Sequence, residues 1–167
     1  MPETPLLRRA PRTDADTEVE VEVEVDAIIA LASARGARTL TLGSGRTPTA
    51  LATMAAVATG WERGGGRIVD HVTWPESAAS WLRQARRFTA TTPDLWIMTG
   101  PRLGWAQMTR RLLWSTTWTP HDTLVTAAIA DPAALELVGT AHLDGLTGID
   151  GDGSAWCVAD GQLRLRR

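Results

Sequence analysis

The 167-residue chain has no lysine, no tyrosine and no asparagine, and a single cysteine, Cys157. Without lysine there is no Schiff-base amine and no Walker A phosphate loop; without tyrosine there is no phenolic acid. One thiol cannot close an internal disulfide, and Cys157, beside Trp156, reads as a small apolar packing residue. All 17 basic residues are arginine, and against 19 acidic ones they leave a net charge of −2. That balance gives no reason to expect nucleic acid as a partner. No run approaches the roughly 20 apolar residues that span a bilayer, so membrane insertion is not expected. The opening stretch, MPETPLLRRAPRTDADTEVE, lacks the apolar core of a signal peptide, which makes a cytoplasmic location the expectation.

What is present is an ordinary globular composition, 44% hydrophobic and 22% charged, in a chain long enough to bury a core. Residues 1–16, rich in Pro, Arg and Asp, read as a flexible arm, and residues 17–167 as one domain. The stretch over 39–58, TLTLGSGRTPTALATMAAVA, organises the rest. Thr39 to Leu42 alternates as a strand; Gly43, Ser44 and Gly45 read as a tight turn. Thr47 is a helix cap, Pro48 suits the first helical position, and Leu51, Met54, Ala55 and Ala58 recur at helical spacing.

The same unit recurs. Strand 67–72 is followed by Thr73-Trp74-Pro75-Glu76, whose Thr and Glu have capping-box spacing. Strand 94–98 leads through Thr99-Gly100-Pro101 into a helix with Trp105, Met108, Leu112 and Leu113 inside. Strand 123–129 leads through Asp131-Pro132 into a short helix. The four prolines lie about one βα unit apart, roughly 30 residues. Residues 153–159 and 162–165, flanking Asp160-Gly161, read as an antiparallel hairpin. The expected fold is therefore α/β, a three-layer α/β/α sandwich with a mainly parallel sheet and a C-terminal antiparallel hairpin. The EVEVEVEV run over 18–25 admits two readings. Alternation favours a half-buried edge strand with its glutamates in water, open to pairing with another chain; the helical segment 26–35 after it favours one long helix grouping Val19, Val23, Ala27 and Ala30.

Parallel crossovers bring every strand-to-helix turn to one rim, where ligands of open α/β sheets bind. At that rim Ser44 and Thr47 offer hydroxyls beside Gly45, and Arg46 and Arg102 offer guanidinium forks for a carboxylate or phosphate. Thr73, Thr99 and Asp131 mark the other strand ends, Trp74 offers a flat apolar wall, and Glu76 a carboxylate. No residue here stands out as catalytic. Ser44 lacks the flanks of a nucleophile elbow, and His71, His121 and His142 have no metal-ligand spacing. Asp144, Asp150 and Asp152 match no EF-hand loop. Of eight tryptophans, Trp81, Trp96 and Trp105 fit inner faces, whereas Trp114 and Trp118, with Leu113, would make a partner patch if exposed.

Four segments carry a family resemblance: ARGARTLTLG, GWERGGGRIVDHVTW, TTPDLWIMTG and DPAALELVGTAHLDGLTGI. With them the chain, from about Asp26 to Leu165, resembles one lobe of the type I periplasmic-binding fold, in the branched-chain amino-acid group of ABC transporter substrate-binding proteins. With the four strand-proline-helix units and no assembled catalytic set, the expectation is a non-catalytic lobe, without a cofactor, that binds a small anionic or zwitterionic molecule or a partner protein at the strand-end edge. A single lobe implies self-association or pairing with another lobe. The Ser44-Gly45-Arg46-Thr47 loop is also similar to the phosphate turn of flavodoxins, which would put Trp74 and Trp105 beside a flavin. An enzyme using Glu76 or His71 beside Ser44 is the remaining alternative.

Overall fold

The computed structural model describes residues 14–166. The segment read as an arm lies outside the described residues as far as position 13, and helix α1 (Asp14–Ala34) begins immediately after it. The Val-Glu run is thus helical. Helical spacing lines up Val21, Val25, Ile28 and Ala32, and the last three are at most 7% exposed. Val19 and Val23, which the helical reading grouped inward, are exposed; the buried stripe is rotated by two residues.

Seven strands follow in one sheet: β1 (Thr39–Gly45), β2 (Arg67–Trp74), β3 (Leu95–Thr99), β4 (Thr123–Val125), β5 (Thr147–Ile149), β6 (Ala155–Ala159) and β7 (Gln162–Leu165). Their spatial order is β2-β1-β3-β4-β5-β6-β7; β1 to β5 are parallel and the last two pairings antiparallel. The expected α/β/α sandwich with its hairpin is what forms. Helix α1 and helix α2 (Pro48–Arg63) cover one face over a core of Ile28, Leu40, Leu42, Met54, Val57 and Ile97. Helices α3 (Leu82–Phe88), α4 (Arg102–Ser115) and α5 (Pro132–Val138) cover the other, over Trp74, Phe88, Met98, Trp105, Met108 and Trp156. The hairpin turns through Asp160 and Gly161, both with positive φ, the backbone of a type I′ turn.

Three expectations change. The Gly43-Ser44-Gly45 turn is not a turn: β1 runs through it, paired with β2 and β3 on both sides. Gly43 is small for packing reasons, since a Cβ there would lie 2.7 Å from both the Phe88 and Trp74 rings. The helix expected at Pro75 starts later, at Leu82, because Thr73 and Trp74 stay in β2 opposite Ser44 and Gly45. Glu76 is consequently no capping-box partner of Thr73. The strand expected over 123–129 ends at Val125 and gives way to a single 3₁₀ turn, Ala127–Ile129. The other three prolines do mark helix starts: Pro48 and Pro132 in the first turn, Pro101 at the cap position of α4.

The chain steps from β1 to β2 in one direction with α2 on one face. It then steps from β2 past β1 to β3, and on to β4 and β5, with helices on the other face. The direction reverses between β1 and β3. A crevice is expected at that switch point, outside the carboxyl ends of the two strands.

Candidate functional site

The crevice is there. About 380 Å³ of space lies between the start of α2, the β3–α4 turn and the inner side of α1, lined by Val21, Glu24, Thr47, Thr49, Thr53 and Thr99 among others. Local sequence builds each wall. Thr47 caps α2 by accepting the Ala50 N–H at 3.3 Å, and Pro48 brings no N–H of its own. Thr49 follows Pro48 in the first turn of the helix. Thr53 donates to the Thr49 carbonyl at 3.0 Å. Opposite, the hydroxyls of Thr99 and Thr126 bond each other at 2.5 Å, tying β3 to the end of β4. Gly100 turns the chain away with φ +138°, and a Cβ on it would come within 2.9 Å of the Gly45 nitrogen. Only glycine fits that backbone and that approach.

Glu24 closes the crevice from α1. Its Oε1 accepts the Ala127 N–H at 2.9 Å, satisfying the start of the 3₁₀ turn after β4. Burial raises its carboxyl above the ordinary range, opposed by the bonds from Ala127 and Thr126. Sequence reasoning missed Glu24 because it treated the four glutamates as one solvated set. Its position was readable on a helix: 21, 24, 25 and 28 fall on one stripe.

The residues expected at one rim are distributed over several places. Thr47 and Thr99 line the crevice. Ser44 is fully buried, its hydroxyl 3.3 Å from His71 Nε2, and Gly45 is packed beneath Glu76 and Pro101. Trp74 is fully buried in the core and is no ligand wall; Trp105 is equally buried, so the pair cannot flank a flavin. Arg46 leans away from the crevice, its Nε donating to Thr73 Oγ1 at 3.4 Å across the outer edge of the sheet. Arg102 pairs with Asp131 at 3.3 Å on the exposed rim, and Asp131 also caps α5 by accepting the Ala133 N–H at 2.9 Å. Glu76 reaches under the rim, where its Oε2 accepts the Gly104 N–H in the first turn of α4 at 3.1 Å. Its Oε1 is buried with no partner among the described residues, and burial raises its carboxyl. Trp118, offered as an exposed patch residue, is 4% exposed; Trp114 is 69% exposed, with His142 edge-on to its ring.

A larger cavity, about 510 Å³, opens at the opposite end of the sheet among Arg35, Asp94, His121, Asp122 and Arg166. Arg35 there is committed to structure, donating to the His121 carbonyl at 3.0 Å and to Thr147 Oγ1 at 2.5 Å. The strand-end crevice has the better claim to a ligand, because helix starts converge there and not at the amino ends of the strands.

No family model and no curated protein matches the chain. Solved structures do. A branched chain amino acid ABC transporter periplasmic ligand-binding protein from Burkholderia xenovorans LB400 aligns at TM-score 0.61 and 16% identity over 75% of this chain and 33% of its own. A substrate-binding periplasmic protein from Ralstonia solanacearum aligns at 0.64 and 14%, over 74% of this chain and 35% of its own. An extracellular ligand-binding receptor from Rhodopseudomonas palustris HaA2 aligns at 0.64 and 16%, over 75% and 34%. The chain therefore has the fold of one lobe of such proteins and spans about a third of their length.

Proposed function

We propose that this chain is a non-catalytic binding module whose strand-end crevice takes a small anionic or zwitterionic molecule. The observation that carries the reading is the pairing of two chemistries across one crevice: the start of α2 with the Thr47 and Thr49 hydroxyls on one wall, and the Glu24 carboxyl on the other. The start of α2 suits a carboxylate, since helix N-termini present donors and partial positive charge. Glu24 Oε2 suits an ammonium or amide donor. The likeness to a branched chain amino acid transporter's ligand-binding protein supports the same class of ligand.

Pairing with a second copy, or with another lobe, completes the proposal. The rim beside the crevice exposes Pro101, Arg102 and Leu103, the last at 63%, and a surface laid on it would enclose a ligand. Calorimetric titration with amino acids and with dicarboxylates tests the crevice. Glu24→Gln is expected to weaken amino acids while sparing dicarboxylates; absence of binding by every member of both sets refutes the reading. Light scattering at high protein concentration tests the pairing with itself, and a strict monomer there contradicts it.

A further inference from the structure

A second concavity, about 260 Å³, lies along the outer edge of β2 and is separate from the crevice. Three elements wall it: Arg46 from the β1–α2 junction, His71 and Thr73 from β2, and Arg83, Gln84 and Arg87 from α3. Among the described residues β2 is the terminal strand, so no further strand covers this side. The lining holds three guanidinium groups and no carboxylate. Asp70 stands behind it and fixes Arg87, accepting from Nε at 3.2 Å and from Nη2 at 2.9 Å, so that Nη1 takes no part in that fork. Arg46 is steered over the cleft by its bond to Thr73. Arg83 is exposed and has no ion pair among the described residues. Gln84 lines the cleft, and its Oε1 is buried with no hydrogen-bond partner among the described residues.

We propose that this edge cleft binds a phosphate group carried by a small molecule. Donors converge from separate elements on one small volume, the arrangement that suits a tetrahedral dianion with several acceptor oxygens. A planar carboxylate uses one guanidinium fork and leaves the other arginines mutually repelling. The cleft room beyond a single phosphate accommodates a second one or a small attached group. The site lies across β1 from the crevice and stands whether or not the crevice binds a zwitterion.

Calorimetric titration of the folded chain with inorganic phosphate and with pyrophosphate, at fixed ionic strength, tests the assignment. Saturable one-to-one binding is expected, tighter for pyrophosphate, and weakened at least about tenfold in the Arg46→Ala/Arg83→Ala double variant. Thermal melts check that each variant is folded, and the Arg63→Ala/Arg110→Ala double variant, which removes two charges from α2 and α4, serves as a charge-matched control that leaves binding unchanged. Failure to saturate overturns the proposal. So does binding that survives the double variant, or an equal loss in the control, which would show attraction to overall charge alone.

Discussion

Glu76 sits wedged between two glycines, and that geometry makes a sign-reversing prediction. A Cβ placed on Gly104 would meet Glu76 Oε2 at 2.3 Å, Cδ at 2.7 Å and Oε1 at 2.9 Å, and these are its three nearest atoms. Gly104 lies in α4 with ordinary helical backbone, so alanine is otherwise the better residue there, by about 0.5–1 kcal/mol. In the native background Gly104→Ala must expel the carboxylate and break its bond to the Gly104 N–H. A hydrogen bond to a charged group contributes about 1.5–3 kcal/mol, so the net change is a loss of roughly 0.5–2.5 kcal/mol. In the Glu76→Ala background the obstruction is gone, and the same substitution gains about 0.5–1 kcal/mol. Urea denaturation of the four proteins at pH 7 closes the cycle, with an expected coupling of about 1.5–3 kcal/mol. Equal shifts in both backgrounds would refute the wedge. The pH is chosen with the sign in mind: burial raises the Glu76 carboxyl, so the folded state holds its proton more tightly, and the charged form burdens stability as pH rises above about 4.3.

Two further perturbations test other parts of the account. Gly43→Ala puts a methyl against the Phe88 and Trp74 rings in mid-strand and is expected to cost about 1–3 kcal/mol, read as a lower melting temperature; an unchanged melt contradicts the packing described for β1. Asp94 accepts from the Arg38 and Thr39 amides at 2.8 Å and from Thr39 Oγ1 at 2.9 Å, and these bonds, Arg38 first, hold its carboxyl below the usual range. Its contribution is present above about pH 3.9 and lost as pH falls, so Asp94→Asn should cost about 1 kcal/mol at pH 7, discounted for exposure, and less at pH 3. A pH-independent difference in urea melts speaks against the clamp.

Local signals carried the elements whose cause is local. Proline and a capping side chain mark α2 and α5, and Asp160-Gly161 marks the hairpin, because each device acts within a few residues. The helix before Leu82 misled because Thr73 and Glu76 have capping-box spacing while their partners are distant: β1 holds Thr73 in the sheet, and the Gly104 N–H takes Glu76. The rim was legible from repeated strand–helix units. Its contents were not, since the wall formed by Glu24 depends on a contact with Ala127 that no spacing encodes. Trp74 illustrates the same limit. Alternation with Val72 fixes that the two share a face, and only the packing of α3 and α4 makes that face the interior.

The central claim is that a ligand sits where the chain reverses direction between β1 and β3. Nitrogen-15 NMR of the labelled chain, titrated with amino acids, reads that claim residue by residue. The account predicts saturable amide shifts concentrated at Thr47, Thr49, Gly100 and Ala127. Shifts confined to Arg35, Gly36 and His121 at the opposite end of the sheet, or none at all, would contradict it.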